Sequence, residues 1–380
     1  MNKKEVTEIK KLFTPQSCSI TRICGCYVDG DKNKKTEYKE AFLSLPEEEM
    51  FKYFEILRQS LTGPVGKYLL NLEFPVEAEK EGGQQDFLLR LRDSRLKDND
   101  LLEEFYDRII ESYDHTGNYL ILVIHDCYDV PGIAKDGTKL HDASEEVYDY
   151  ILACICPVDL SKPGLNYNAA ENAFQNRVRD WVVGAPETSF IFPAFNQRSA
   201  DVHSTLYYSK DTENLHDNFV HSVLGCPVPL SVKDQNKAFQ AFISALLGCQ
   251  CSFNNMKKIY DNLTEIAAEH EHDPEVFAID KSTMKSILIS SEISEELMEE
   301  FDTVFDTTIG SETCLLLPNI LRSGQFEIKS ELFELKMEGE YATGRIEEKI
   351  VDGKRCLVID PSGTNVEVNG ILTTSSANNS

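Results

Sequence analysis

The sequence predicts an α+β protein whose strands are largely antiparallel. Apolar segments typical of strands are mixed with helical patterns in the N-terminal part, and helical spacing dominates between residues 226 and 310. The closing part contains Asp352-Gly353, a strong hairpin signal, within a run of short apolar segments. Strands and helices do not alternate regularly, as they would in a doubly wound parallel sheet.

The same patterns predict how the 380 residues are divided. We expect an N-terminal α+β domain over 1–225 and a helical region over 226–310. A small antiparallel β-meander is expected over 311–372, followed by a disordered tail over 373–380. A chain of this length suits two or three domains of roughly 100–200 residues each.

The first elements are a short helix, a β-hairpin and a longer helix. Residues 2–13 have an amphipathic helical pattern, and residues 18–28 alternate as a strand that turns back at Asp29-Gly30. Ser44 and Glu47 have the spacing of a capping box, which predicts that the next helix begins at Ser44.

Two helices and several buried strands follow. Apolar spacing predicts helices over 86–113 with a kink near 97–100. The runs "GNYLILVIHDCYDV" and "EVYDYILACICPVDL" predict buried strands, and residues 170–184 have a helical pattern. The segments "TSFIFPAFN" and "DVHSTLYYSK" predict a pair of strands.

Polar residues mark the starts of the next helices. Asp211 is the predicted N-cap of "TENLHDNFVHSVLG", and Ser231 is that of "VKDQNKAFQAFISALLG". Helical patterns continue over 254–269 and 293–306.

The net charge is strongly negative but uneven. The chain has 38 basic and 64 acidic residues, a net charge of −26, which on average repels nucleic acid and anionic membranes. Residues 1–39 are the exception, with nine basic and five acidic residues. They supply the candidates for nucleic-acid binding: Lys3, Lys4, Lys10, Lys11, Lys32, Lys34 and Lys35. The alternative is a solvated helix face and a hairpin tip without a ligand.

The sequence predicts a cytoplasmic protein. No apolar run reaches the ~18 residues of a membrane helix, and the N-terminus lacks the apolar segment of a secretory signal. The eleven cysteines lie mostly in apolar runs, as expected of free thiols in a reducing compartment.

Cysteines recur in C-x-C pairs. Cys24 with Cys26 and Cys154 with Cys156 lie in predicted strands, where residues two apart share a face. Three interpretations remain open: packing in the core, a metal site made of four thiolates from adjacent strands, or functional thiols. Cys249 and Cys251 follow Gly248 at a helix end and are the first choice for a reactive pair.

A polar cluster ends one of the buried strands. His125 and Cys127 occur in "IHDC", and His141 follows in the next segment. Cysteine and histidine catalysis requires such groups to converge in space, and hydrogen bonding at a strand end is the alternative. The common phosphate-loop, dinucleotide and nucleophile-elbow motifs are absent, and no cofactor is predicted.

Two family resemblances add to this. "CSITRICGCYVDG", "NRVRDWVVGAPETSFIFPAFNQRS" and "STLYYSKD" resemble an uncharacterised family of anaerobic Gram-positive bacteria, a domain of unknown function that covers nearly the whole chain. Residues 204–243, together with "QQDFLLRLRDSRL" and "FEIKSELFEL", are similar to the nucleoid-associated protein family of Gram-negative bacteria. The second resemblance implies association with nucleoid DNA or with a DNA-associated protein, and no catalytic residues.

Three hypotheses about function follow. The first is a non-enzymatic, nucleoid-associated or adaptor protein that binds through residues 1–39 or through a protein partner. The second is an enzyme or metal-binding protein that uses Cys127, His125 and His141, or the C-x-C pairs. The third is a structural scaffold that forms homo-oligomers.

Overall fold

A computed structural model describes residues 1–133, 139–321, 325–338, 343–361, 366–368 and 371–373. It has an α+β fold with antiparallel strands, as predicted. The chain divides into two compact units, Met1–Lys233 and Asp234–Ser380, which are treated one at a time below. The three-part division stays a prediction, and of the predicted tail only Thr373 is described.

The first unit is built on one antiparallel sheet with the strand order β2-β1-β4-β5-β9-β12-β3, to which β8 is added by pairing with β5. The strands of this unit are β1 (Arg22–Val28), β2 (Lys34–Glu40), β3 (Leu69–Glu73), β4 (Asn118–Ile133), β5 (Lys139–Leu160), β6 (Leu165–Asn168), β7 (Ala173–Asn176), β8 (Trp181–Val183), β9 (Thr188–Phe192), β10 (Ala194–Asn196), β11 (Ser199–Asp201) and β12 (Ser204–Ser209).

Helices cover both faces of this sheet. The helices are α1 (Lys3–Lys10), α2 (Glu47–Gln59), α3 (Gln84–Asp93), α4 (Asn99–Ser112) and the short α5 (Asp217–Phe219). On one face, α3 and α4 pack through residues such as Phe87 and Phe105 against Val123 of β4. On the other face, α1 and α2 pack against Ile124 of the same strand. The central segments of β4 and β5, residues 119–124 and 150–156, are therefore apolar, because both of their faces are buried.

Several details differ from the sequence prediction. Helix α2 begins at Glu47 with Pro46 as its N-cap, so the capping box predicted at Ser44 was wrong. The helix predicted over 170–184 was also wrong, since this segment forms β7 and β8. Asp211 does not cap a helix: its carboxylate accepts from the amides of the next turn, and the helix begins six residues later. The kink near 97–100 was confirmed by the break between α3 and α4.

The second unit combines a helical core with small hairpins. Its elements are α6 (Val232–Leu247), α7 (Phe253–Glu269), β13 (Ala278–Ile279), α8 (Lys281–Ser290), α9 (Glu295–Met298), α10 (Phe301–Thr308), β14 (Leu315–Leu316), α11 (Leu317–Ile320), β15 (Gln325–Lys329), β16 (Glu334–Glu338), β17 (Ile346–Val351), β18 (Lys354–Ile359), β19 (Val366–Val368) and β20 (Ile371–Thr373). Its core includes Phe242, whose ring lies 5.6 Å from those of Phe301 and Phe305. Helix α8 had no counterpart in the sequence prediction.

Across the described ranges, no helix is both long enough and apolar enough to cross a membrane.

Candidate metal centre

Three side chains with metal-ligating atoms meet where β4 and β5 pair. His125 and Cys127 lie on β4, and Asp149 of β5 is the direct partner of Cys127 across the two strands. One ligand atom from each residue lies within 4.8 Å of the others. His125 and Cys127 follow Val123 at intervals of two, so they share the face that α3 and α4 cover.

The imidazole of His125 is fully buried and is held from its far side. Nδ1 lies 2.9 Å from the hydroxyl oxygen of Thr21, and that hydroxyl lies 3.4 Å from the carbonyl oxygen of His125. If the hydroxyl of Thr21 donates to the carbonyl oxygen of His125, its oxygen accepts from Nδ1–H of the ring. A neutral imidazole with its proton on Nδ1 has its lone pair on Nε2. A partner on the second nitrogen is what orients metal-binding histidines in proteins.

The other ring nitrogen faces a carboxylate. Nε2 of His125 lies 2.5 Å from Oδ1 of Asp149, and both atoms are buried. The contact does not have the geometry of a hydrogen bond, and neither atom has a hydrogen-bond partner among the described residues. Two acceptors this close are unfavourable unless a proton or a cation lies between them.

The charges around the cluster keep the carboxylate ionised and the thiol protonated. Burial alone would raise the pKa of Asp149, but the contact with His125 and the positive charges of Arg92 and Arg95 bring the pKa below its usual value. Burial raises the pKa of Cys127 to about 11, and the nearby charge of Asp149 adds to this shift.

This geometry does not favour a cysteine nucleophile. In a Cys–His–Asp triad the thiol and the carboxylate contact opposite nitrogens of the imidazole. Here Nδ1 of His125 is taken by Thr21, so Cys127 and Asp149 are left on the side of Nε2. A thiol with a pKa of about 11 is also a weak nucleophile at neutral pH. Imidazole, thiol and carboxylate together are instead the usual ligand types of Zn²⁺.

A second buried carboxylate holds the backbone between the two β4 ligands. The amide of Cys127 donates to Oδ1 of Asp126 at 2.9 Å, and the hydroxyl of Tyr150 donates to Oδ2 at 2.8 Å. Burial raises the pKa of Asp126 above its ordinary value. These bonds restrain the strand at the positions that carry His125 and Cys127.

The third sequence candidate and the residue that was missed lie on the same strand. The backbone of His141 is part of β5, while its side chain falls outside the described portion of the structure. Asp149 was not predicted. The available signal was the "YDY" pattern, in which a carboxylate interrupts a run that otherwise predicts a buried strand.

The C-x-C pairs lie on opposite faces of the sheet. Cys24 and Cys26 pack into the core under α3 and α4, whereas Cys154 and Cys156 pack into the core under α1 and α2. Strand β4 also separates β1 from β5. The two pairs therefore cannot bind one ion together. Burial raises the pKa of Cys24 to about 11 and that of Cys154 to about 12, as expected of thiols in a core.

Cys249 and Cys251 are exposed, in a short helical turn after α6.

The candidate lysines of the β1–β2 hairpin already have acidic neighbours. All three are in contact with carboxylates: Lys32 with Asp114 at 3.8 Å, Lys34 with Asp107 at 2.6 Å, and Lys35 with Asp29 at 2.6 Å. Their charges are therefore largely compensated within the unit.

The candidate lysines of the first helix are less engaged. Nζ of Lys10 donates to the hydroxyl of Thr62 at 2.5 Å. Lys3, Lys4 and Lys11 are exposed, and none of them forms an ion pair with a described residue.

The two groups of lysines do not form one basic patch. The turn of the β1–β2 hairpin bonds to Asn118, the first residue of β4. Helix α1 contacts the other end of that strand, where Glu8 accepts a hydrogen bond from Tyr128. At 3.3 Å per residue, the two ends are about 30 Å apart.

The fold and the cluster define an α+β protein with a His/Cys/Asp group at one end of an antiparallel sheet, in which the histidine is buried and the other two side chains are partly exposed. The chain belongs to the family described as a domain of unknown function (DUF4317), whose model matches residues 1–371. This match confirms that the chain is a member of an uncharacterised family, as its sequence segments indicated. No curated protein matches the chain.

Proposed function

We propose that this protein binds a divalent first-row metal ion, Zn²⁺ in the first place, through His125, Cys127 and Asp149. The observation that supports the proposal is the contact between Nε2 of His125 and Oδ1 of Asp149. Both atoms are buried, lie 2.5 Å apart and make no hydrogen bond with a described residue. The thiol of Cys127 within 4.8 Å supplies the third ligand.

The ion would require a small rearrangement of the cluster. Zn²⁺ bonds of about 2.0–2.1 Å to nitrogen and oxygen place tetrahedral ligand atoms roughly 3.3 Å apart. The atoms of His125 and Asp149 would therefore separate by about 0.8 Å. The side chain of Asp149 is one-third exposed, at 33%, and can make this movement. Three protein ligands leave a fourth position open, which is the pattern of catalytic zinc sites.

A shared proton is the competing explanation. A protonated imidazole beside an ionised Asp149 would satisfy the same two atoms without a metal ion, and the pair would then only stabilise the fold. Metal titration separates these explanations. A structural ion pair binds no added metal ion, and the thiol of Cys127 then stays protonated.

The test is titration of chelator-treated full-length protein with Co²⁺, followed by near-ultraviolet absorption of the thiolate–cobalt bond. We expect one equivalent to bind with this signal. Cys127→Ser removes the signal, and Cys249→Ser, at an exposed cysteine, retains it. Asp149→Asn weakens binding at least about tenfold. Asp129→Asn is the matched control, because Asp129 is an exposed carboxylate on the neighbouring strand β4. Absence of the thiolate signal, or an equal signal in Cys127→Ser, refutes the proposal.

Association with DNA, directly or through a DNA-associated protein, is a second proposal. It is supported by the exposed and unpaired Lys3, Lys4 and Lys11, and by the similarity to nucleoid-associated proteins. The compensated lysines of the hairpin would contribute little. The sequence resemblance implies an anaerobic Gram-positive bacterium. The protein would then bind DNA in the cytoplasmic nucleoid of that bacterium.

Fluorescence anisotropy with a DNA duplex at increasing salt tests this second proposal. Three phosphate contacts predict that log K falls with log salt at a slope of about −2.7. Replacing the three lysines with glutamine removes the binding, while Lys32→Gln leaves it nearly unchanged. If the protein does not bind the duplex even at low salt, direct DNA binding is refuted, and association through a DNA-associated protein is the remaining form of this proposal. Equal loss in both variants contradicts the assignment to α1.

A further inference from the structure

A long β-ribbon extends from the main sheet of the first unit. We define the arm as residues 160–183, which include β6, β7 and β8. Its two chains are joined in register: the amide of Ser161 donates to the carbonyl of Asp180 at 2.8 Å, and the amide of Arg177 donates to the carbonyl of Gly164 at 2.9 Å. Strand β8 joins the arm to the last residues of β5. The arm is therefore a regular ribbon with a defined conformation.

The outer hairpin of the arm has one apolar and one polar face. Leu165 is paired with Asn176, and Tyr167 is paired with Phe174. Paired residues point to the same side of a ribbon and successive residues alternate, so Leu165, Tyr167 and Phe174 share one face, together with the amide side chain of Asn176. The opposite face carries Asn166, Asn168, Ala173 and Gln175.

The apolar face of the hairpin is open to solvent. Leu165 is 78% exposed and Phe174 is 74% exposed. Tyr167 and Phe174 contact each other, with ring centroids 5.5 Å apart. No residue of the arm belongs to the buried cores of the first unit, as far as its residues are described. An isolated two-stranded hairpin is marginally stable in water at best, so this one requires a surface that covers its apolar face.

We propose that the arm binds a second copy of this chain. The arm contains three basic and two acidic residues, whereas the whole chain has a net charge of −26. Two whole copies repel each other because each carries −26, whereas two arms, each with an excess of one positive charge, repel each other only weakly, so the arms are where two copies meet at little electrostatic cost. Two copies related by a twofold axis would cover both apolar faces with one self-complementary contact.

Other occupants fit this charge distribution less well. An anionic membrane or a nucleic acid would meet an arm with an excess of one positive charge on a strongly acidic protein. A second copy also requires no ligand to be present. Both alternatives serve as outcomes of the test below.

The oligomeric state is measured by sedimentation velocity, which we expect to show a dimer at micromolar concentration. Dilution should dissociate this dimer. The single tryptophan, Trp181, is 55% exposed in β8 and is paired with Leu160, so by the same alternation it points to the face opposite Phe174 and does not report on the contact.

Charge substitutions on the two faces of the hairpin form a matched set. Phe174→Asp places a carboxylate on the apolar face, and Gln175→Asp places the same group one residue away on the polar face. Burial of one large aromatic corresponds to at least about a tenfold change in affinity. Phe174→Asp should therefore raise the dissociation constant at least about tenfold, and Leu165→Asp should repeat this effect from the other strand. Gln175→Asp should leave the dissociation constant unchanged.

Several results would overturn the proposal. These are a wild-type monomer at high micromolar concentration, and an equal effect of Phe174→Asp and Gln175→Asp on the dissociation constant. Co-sedimentation of a monomeric protein with a DNA duplex or with anionic vesicles, lost in Phe174→Asp and retained in Gln175→Asp, assigns the arm to that ligand instead. Far-ultraviolet circular dichroism confirms that each variant remains folded.

Discussion

Alkylation of the native protein should separate the eleven cysteines into fast and slow classes. Cys249 and Cys251 are exposed, whereas Cys154 is fully buried and its pKa is raised to about 12 by burial. Only the thiolate reacts with an alkylating reagent. At pH 8 an ordinary thiol with a pKa of about 8.5 is roughly 24% ionised, and a thiol with a pKa of about 12 is ionised to only ~0.01%. Cys154 should therefore react about 2,000-fold more slowly, even before burial excludes the reagent.

The assay is a timed pulse of iodoacetamide, followed by digestion and mass spectrometry of each cysteine peptide. Cys249 and Cys251 should be modified first, and Cys154 should remain unmodified until denaturant exposes all eleven thiols. One unit of added pH should accelerate the reaction at Cys154 about tenfold, provided that the protein stays folded. Equal rates at Cys154 and Cys249 in folded protein would show that the thiols of the sheet are not core residues.

Three further outcomes follow from other contacts. Phe242→Ala should lower the free energy of unfolding by about 3–5 kcal/mol, because the ring is fully buried between two other aromatic rings, and Phe242→Leu should cost less. Urea denaturation measures both changes. Gly25→Ala should cost about 1–3 kcal/mol, because a Cβ there would clash with the ring of Tyr38, and adding Tyr38→Ala should recover part of that loss. A double-mutant cycle without coupling would contradict this. The pKa of His203 is raised above 6.5 by its hydrogen bond to Glu79, so Glu79→Gln should lower that pKa in an NMR titration. Any stability from this pair is present below pH 6.5 and is lost as the pH rises through the higher pKa.

The strands that pass through the centre of the sheet could be predicted from sequence. Continuous apolar runs in β4 and β5 predict buried strands, because both faces of each strand contact helices. The face to which each C-x-C pair points could not be predicted. Alternation along a strand shows that two cysteines share a face, but the order of neighbouring strands decides which core that face meets.

The arm shows why local patterns can mislead. Residues 170–184 contain alanine, glutamate, glutamine and arginine at spacings that favour a helix. In the structure, backbone hydrogen bonds to the chain before the turn replace the helical ones, as in the bond from the amide of Arg177 to the carbonyl of Gly164. Pairing with a segment that already extends from β5 therefore overrides the intrinsic preference of the segment.

The candidate metal centre could be predicted only in part. His125 and Cys127 were found because they end an apolar run, but Asp149 comes from another strand. Its contact with His125 depends on the register between β4 and β5, which pairs Cys127 with Asp149. A shift of one residue in that register would place Asp149 on the opposite face of the sheet.

The strand order has a consequence for synthesis on the ribosome. Strand β3 closes one edge of the sheet by pairing with β12, although about 130 residues separate Glu73 from Ser204. At about 5–20 residues per second, translation would leave the "LLNLE" segment of β3 without its partner for roughly 7–26 seconds. During that interval an apolar strand is open to wrong pairing or to a chaperone. Nascent chains stalled before residue 204 should therefore be captured by a chaperone more readily than chains stalled after the whole of the first unit has emerged.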